Sequence, residues 1–164
     1  MLLQSFQAMT SSIPENVEPE QTLEELRALP VVTRNFDTPE GAILCLEEAY
    51  RRRDVELACA CRNFLIEGTM VLLDFDEDIA RDPQLRQKNA VLSERSFRRQ
   101  IAGAWPDLAG VESFFINREP YAEGIVLVTE LQHRPDGLFR RLELLVARTN
   151  AGWRVVSPLP ETGF

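Results

Sequence analysis

The side chains of this chain that are able to do chemistry are few and scattered. One histidine, His133, stands beside an Arg134-Pro135 turn. General acid–base catalysis needs such a group held against a substrate proton with a tuned pKa, and a histidine at a strand end is ordinarily solvated. A Ser-His-Asp triad would have to use His133 as its base, and a zinc site would lack a second imidazole. Cys45, Cys59 and Cys61 fall in apolar helical segments, with Cys59 and Cys61 on different helical faces. An odd number of cysteines is not a secreted disulfide framework, so they read as reduced packing thiols. The expectation is no catalytic set, no metal and no cofactor.

The densest charged run is DFDED, with Asp74, Asp76, Glu77 and Asp78. Its carboxylates suit calcium, yet the run lacks the glycine and the terminal bidentate glutamate of an EF-hand. It reads as a solvated loop in which one residue caps the next helix. The sharper alternative is a negative patch that steers a basic partner. Arg51, Arg52 and Arg53, and further on Arg95, Arg98 and Arg99, suit exposed faces and ion pairs. There is no glycine-rich phosphate loop. Trp153 is a candidate interface anchor, since Trp is favoured at hot spots, although core packing is its commoner fate.

Charge supports the same direction. In 164 residues, 26 acidic side chains against 18 basic ones leave a net −8, which disfavours binding to nucleic acid because phosphate needs a basic footprint. Lys88 is the single lysine among those basic residues, the mark of a GC-rich, bacterial coding bias. The first positive side chain is Arg27, so a basic export leader is not expected. No stretch reaches the roughly 20 apolar residues that span a bilayer. A cytoplasmic protein without membrane contact is the expectation.

The elements that must position these residues follow from pattern. Residues 1–21 are acidic and lack an apolar period, which predicts a flexible arm ahead of one α+β domain over 22–164. Thr22 and Glu25 have capping-box spacing for a short helix. From Phe36, Thr38 or Asp37 can cap a helix opened by Pro39, and Ala42, Ile43, Leu46, Ala49 and Tyr50 share its apolar face. Glu47 with Arg51, and Glu48 with Arg52, are spaced as ion pairs on the opposite face. Asp54 caps a second short helix, and Phe64 to Leu73 forms a third. After the DFDED loop, Asp82-Pro83 opens a long helix toward Trp105. The period then changes to that of strands: Val111 to Ile116, Ile125 to His133, Phe139 to Thr149, and Trp153 to Leu159. Turns at Pro135-Asp136-Gly137 and Asn150-Ala151-Gly152 make the last three an antiparallel meander. Helices first and a meander after predict helices packed in a curved antiparallel sheet.

Two segments, TPEGAILCLEEAYRRRDVELACACRNF (Thr38 to Phe64) and LFRRLELLVARTNAGWRVVSPL (Leu138 to Leu159), carry a resemblance. The first resembles the opening helix of the nuclear-transport-factor-2-like superfamily, with Asp54 before its second helix. The second resembles the family's last two strands, with Gly152, Trp153 and Arg154 at the final turn. The likeness implies a strongly bent, cone-shaped sheet around the opening helix, with Tyr50, Phe114 and Leu127 lining its pocket. The long charged segment from Asp74 to Trp105 departs from a small member of the family. Within the superfamily the chain is most similar to bacterial immunity proteins, which bind and neutralise a toxin. That implies a non-catalytic role with a basic toxin or effector as partner. The alternative implied by the same fold is a small-molecule binder, or a cyclase or isomerase, using the cone. A homodimer is a third possibility.

Overall fold

A computed structural model of the chain describes residues 17–158; the expected arm over 1–21 therefore lies mostly outside the described residues. Among the described residues six helices precede four strands: α1 Leu23–Arg27, α2 Pro39–Arg52, α3 Val55–Ala60, α4 Phe64–Leu73, α5 Glu77–Ala80, α6 Pro83–Gly103, then β1 Glu112–Ala122, β2 Ile125–His133, β3 Phe139–Thr149 and β4 Gly152–Pro158. The fold is α+β, as the change of period implies.

Helix boundaries follow local capping chemistry. Thr22 and Glu25 form the reciprocal capping box of α1. The Thr38 hydroxyl accepts from the Gly41 N–H at the start of α2, where Pro39 occupies the first turn, and Arg53 ends the helix in a left-handed conformation. Asp54 caps α3, Asn63 caps α4 and Asp82 caps α6, each accepting from an otherwise unpaired backbone N–H. The DFDED run is not wholly a loop: the Asp76 carboxylate accepts from the N–H groups of Asp78 and Ile79 and starts the one-turn helix α5.

The strands form one antiparallel sheet in the order β1-β2-β3-β4, and among the described residues it does not close. β1 is longer than its apolar stretch predicts. It continues past Ile116 through Asn117, Arg118 and Glu119, with irregularities between Phe115 and Asn117 and between Pro120 and Ala122. Bulges, a proline and charged side chains are tolerated there because β1 is an edge strand. At the opposite edge, Asn63 donates its N–H to the Val155 carbonyl and Val155 donates to the Cys61 carbonyl. The α3–α4 connection thus acts as a short parallel partner for β4.

Both faces of the sheet are covered. On one, Val128, Leu144, Val146 and Val155 pack with Ile43, Leu46 and Ala49 of α2 and with Phe64, Phe97 and Ile101. On the other, Leu127, Leu145, Ala147 and Val156 pack with Ile66 and Met70. Because Phe64 lies with the first set and Ile66 with the second, α4 straddles the β4 edge. Two close approaches need glycine. A Cβ on Gly68 would come within 2.9 Å of the backbone at Asn89 and Ala90, where α4 crosses α6. One on Gly152, which has φ +101°, would come within 2.5 Å of the Phe36 carbonyl.

Candidate functional site

Two places combine polar chemistry with an unusual setting: a polar seam inside the molecule and an exposed corner.

The seam is built where α2 crosses the sheet. β2 alternates, so Val128, Glu130 and Gln132 share the face toward α2, while Leu127, Thr129 and Leu131 point away. On β1, Ser113 stands opposite Gln132 and Phe115 opposite Glu130. Glu47 reaches them from α2. Glu47, Glu130 and Gln132 are only 3%, 1% and 5% exposed. The Ser113 hydroxyl lies 2.9 Å from both Glu47 carboxylate oxygens and donates to them. The Gln132 amide donates to Glu47 Oε1 at 3.1 Å and to Glu130 Oε1 at 3.2 Å, joining the two carboxyls. Glu130 Oε2 is buried with no N–H or O–H donor against it. Burial, and next the negative charge of Glu47, raise the Glu130 pKa well above the usual carboxylate range.

This arrangement corrects the surface ion pairs expected on α2. Glu47 turns inward, and Arg51 instead donates to the carbonyls of Leu108 and Val111. Glu48 pairs with Arg34 at 2.7 Å. The i,i+4 spacing was present, but tertiary partners offered better acceptors and donors than the helix neighbours did.

A second interior group lies beside the β4 edge. Arg62 donates to the Val156 carbonyl at 2.9 and 3.2 Å and to Glu67 at 2.7 Å, with both side chains almost wholly buried. Its guanidinium lies 4.5 Å from the Phe97 ring centre and 5.4 Å from that of Phe64. Burial raises the Glu67 pKa, opposed by Arg62. Tyr50 packs beside this group against Phe97 and Trp105, and burial raises its pKa as well. These partners make a structural polar core.

The exposed corner is the α4–α5 junction. Leu73, Phe75 and Ile79 are exposed, Phe75 to 65%. They alternate with Asp74, Asp76, Glu77 and Asp78, all on the surface. Asp78 forms an exposed pair with Arg81 at 3.2 Å, and Asp76 is occupied as a helix cap. This is a small apolar surface set in negative charge.

The other residues singled out from sequence are dispersed. Trp153 is half-buried against the α2-side core, and its backbone N–H donates to the Phe36 carbonyl. Tyr50 belongs to the α2 side of the sheet, whereas Leu127 lies on the opposite face; Phe114, paired with Leu131, shares that opposite face. The three expected pocket residues are therefore not brought together. His133 lies 3.4 Å from Glu112, stacks on Phe139, and sits at the sheet end rather than in the seam. Arg27 holds Glu112 through two bonds of 2.6 and 3.0 Å and lowers its pKa. Cys45, Cys59 and Cys61 are free thiols; burial pushes Cys61 up to about 12, which makes it a poor nucleophile at neutral pH. Among the described residues no group of three or more His, Cys, Asp or Glu side chains is placed to hold a metal ion, and no helix is long and apolar enough to cross a membrane.

Glu130, Gln132 and Glu47 were missed by sequence reasoning. The available signal was two polar residues, Glu130 and Gln132, at alternate positions of β2 on the face shared with Val128. Comparison with protein families, with curated proteins and with solved structures returns no match to this chain.

Proposed function

We propose that this chain is a non-catalytic binding protein that engages a basic protein partner through the α4–α5 corner. The observation that carries the reading is the exposure of Phe75 among four acidic side chains. An exposed aromatic is an anchor that gains from desolvation on docking, and the acids around it attract positive charge and orient the encounter. The net charge of −8 extends that attraction beyond the patch. The dispersal of His133, the cysteines and Tyr50 gives catalysis no assembled centre to build on.

The finer reading keeps the kinship suggested by sequence. The meander over α2 is an open version of the nuclear-transport-factor-2-like cone, and the partner is a toxin or effector that the chain neutralises by covering its working surface. Support comes from the order of elements and from α2 lying against β2, β3 and β4. The test is co-purification from the native host with wild type, Phe75→Ala and Glu77→Gln as baits. A basic protein retained by wild type, lost by F75A, and inhibited by added wild-type chain supports the proposal. Equal retention by F75A contradicts the docking surface; a captured partner whose activity is unaffected contradicts neutralisation.

A further inference from the structure

The polar seam has a chemistry that docking at the α4–α5 corner does not use. Two carboxyl groups face each other across the α2–β2 contact, and a single amide, that of Gln132, donates to both. Glu47 is supplied with donors: Ser113 from β1 and Gln132 from β2. Glu130 accepts one bond at Oε1 and its Oε2 is buried without a hydrogen-bond partner, while the Glu47 carboxyl lies beside it and the Ser113 hydroxyl, already turned to Glu47, stands within reach of both acids. A buried acceptor in that position is costly as an anion, whereas a proton on it becomes a donor toward the neighbouring carboxylate.

We propose that Glu130 carries a proton in the folded protein at neutral pH and donates it to Glu47, so that the pair is a latch holding α2 on the sheet which alkaline pH releases. The surrounding charges fit this arrangement. On α2, Glu40 is engaged with Arg118 at 2.8 and 3.0 Å, and Arg51 is turned toward the Leu108 and Val111 carbonyls. On β1, Glu112 belongs to the neighbouring face with Arg27 and His133. On β3, Leu142 stands directly opposite Glu130, and Arg140 stands opposite Gln132, two residues further along. The charged group that faces Glu130 most directly is thus Glu47.

The direction of the pH effect follows from linkage. The Glu130 pKa is raised in the fold, so the folded state binds this proton more tightly than the unfolded chain does. Its contribution to stability is complete below the ordinary carboxylate range and is lost as pH rises through the folded value. Above that value, two charges share the seam and α2 separates from β2 more readily. Glu67, also raised by burial, adds to the same slope, so the difference between wild type and a Glu130 variant isolates the latch.

The experiment is thermal unfolding of the full chain from mildly acidic to alkaline pH, for wild type and Glu130→Gln. Hydrogen exchange of the α2 peptides is measured over the same range and corrected for intrinsic rates. The expected result is a wild-type Tm that falls as pH rises and a visibly flatter profile for E130Q. α2 exchange should accelerate several-fold at alkaline pH in wild type only. Parallel profiles for the two proteins would overturn the proposal. Should E130Q fail to fold, infrared spectroscopy of wild type and Glu67→Gln in D2O decides: the carbonyl stretch of a protonated carboxyl present at neutral pH in both proteins and absent at alkaline pH supports the latch, and its absence at neutral pH from either protein refutes it.

Discussion

Arg62 ties together more of the interior than any other side chain described above. It bonds β4 through the Val156 carbonyl, neutralises Glu67 and lies over two aromatic rings. Removing one partner of a buried ion pair leaves a charge without compensation, which costs about 3–5 kcal/mol. Arg62→Ala is therefore expected to lose about that much stability in urea unfolding, and the double variant R62M/E67L to recover most of it, because an apolar pair needs no solvation. Neither Arg62 nor Glu47 announces its role in the sequence. Glu47 stands four residues before Arg51, a spacing that describes a solvated helix pair equally well. Only the arrival of Ser113 on β1 and Gln132 on β2, 66 and 85 residues further along the chain, decides which way the carboxylate turns.

At the level of elements, local chemistry accounts for most boundaries. Thr38 with Pro39, Asp54, Asn63 and Asp82 each stop or start a helix by supplying an acceptor to free N–H groups. Replacing the Thr38 hydroxyl, as in Thr38→Ala, is expected to cost about 1 kcal/mol by loss of that cap, measured by chemical denaturation. Gly152→Ala should cost about 1–3 kcal/mol, because a side chain there combines positive φ with collision against Phe36. Three features were not legible. α5 forms because Asp76 caps a run that otherwise reads as solvated loop. β1 runs on through Arg118 and Glu119 because an edge strand needs no apolar period. β2 shows a buried face of Leu127, Thr129 and Leu131, and its alternate residues are buried too, since helices cover one side and α4 wraps onto the other. Burial on both faces erases the alternation that would have separated Tyr50 from Leu127 and Phe114.

For the whole molecule, the balance of charge and the placement of apolar surface point the same way. The described surface exposes Leu73, Phe75 and Ile79 together, set among acids. Because Phe75 is mostly exposed, Phe75→Ala is expected to leave the unfolding midpoint within about 0.5 kcal/mol of wild type, while weakening partner binding by about 2 kcal/mol or more, as loss of an anchor does. A matching drop in stability would mark Phe75 as a structural residue instead. Salt should slow the encounter with a basic partner, and Glu77→Gln should reduce that salt dependence without altering the fold. The most direct measurement places a photo-crosslinking phenylalanine analogue at position 75 in the native host, with the same group at Val31, which is 97% exposed in the α1–α2 connection, as the control. A basic protein joined at position 75 and not at position 31 is the predicted result; equal adducts at both positions, or adducts at 75 only to a second copy of the chain, would contradict it.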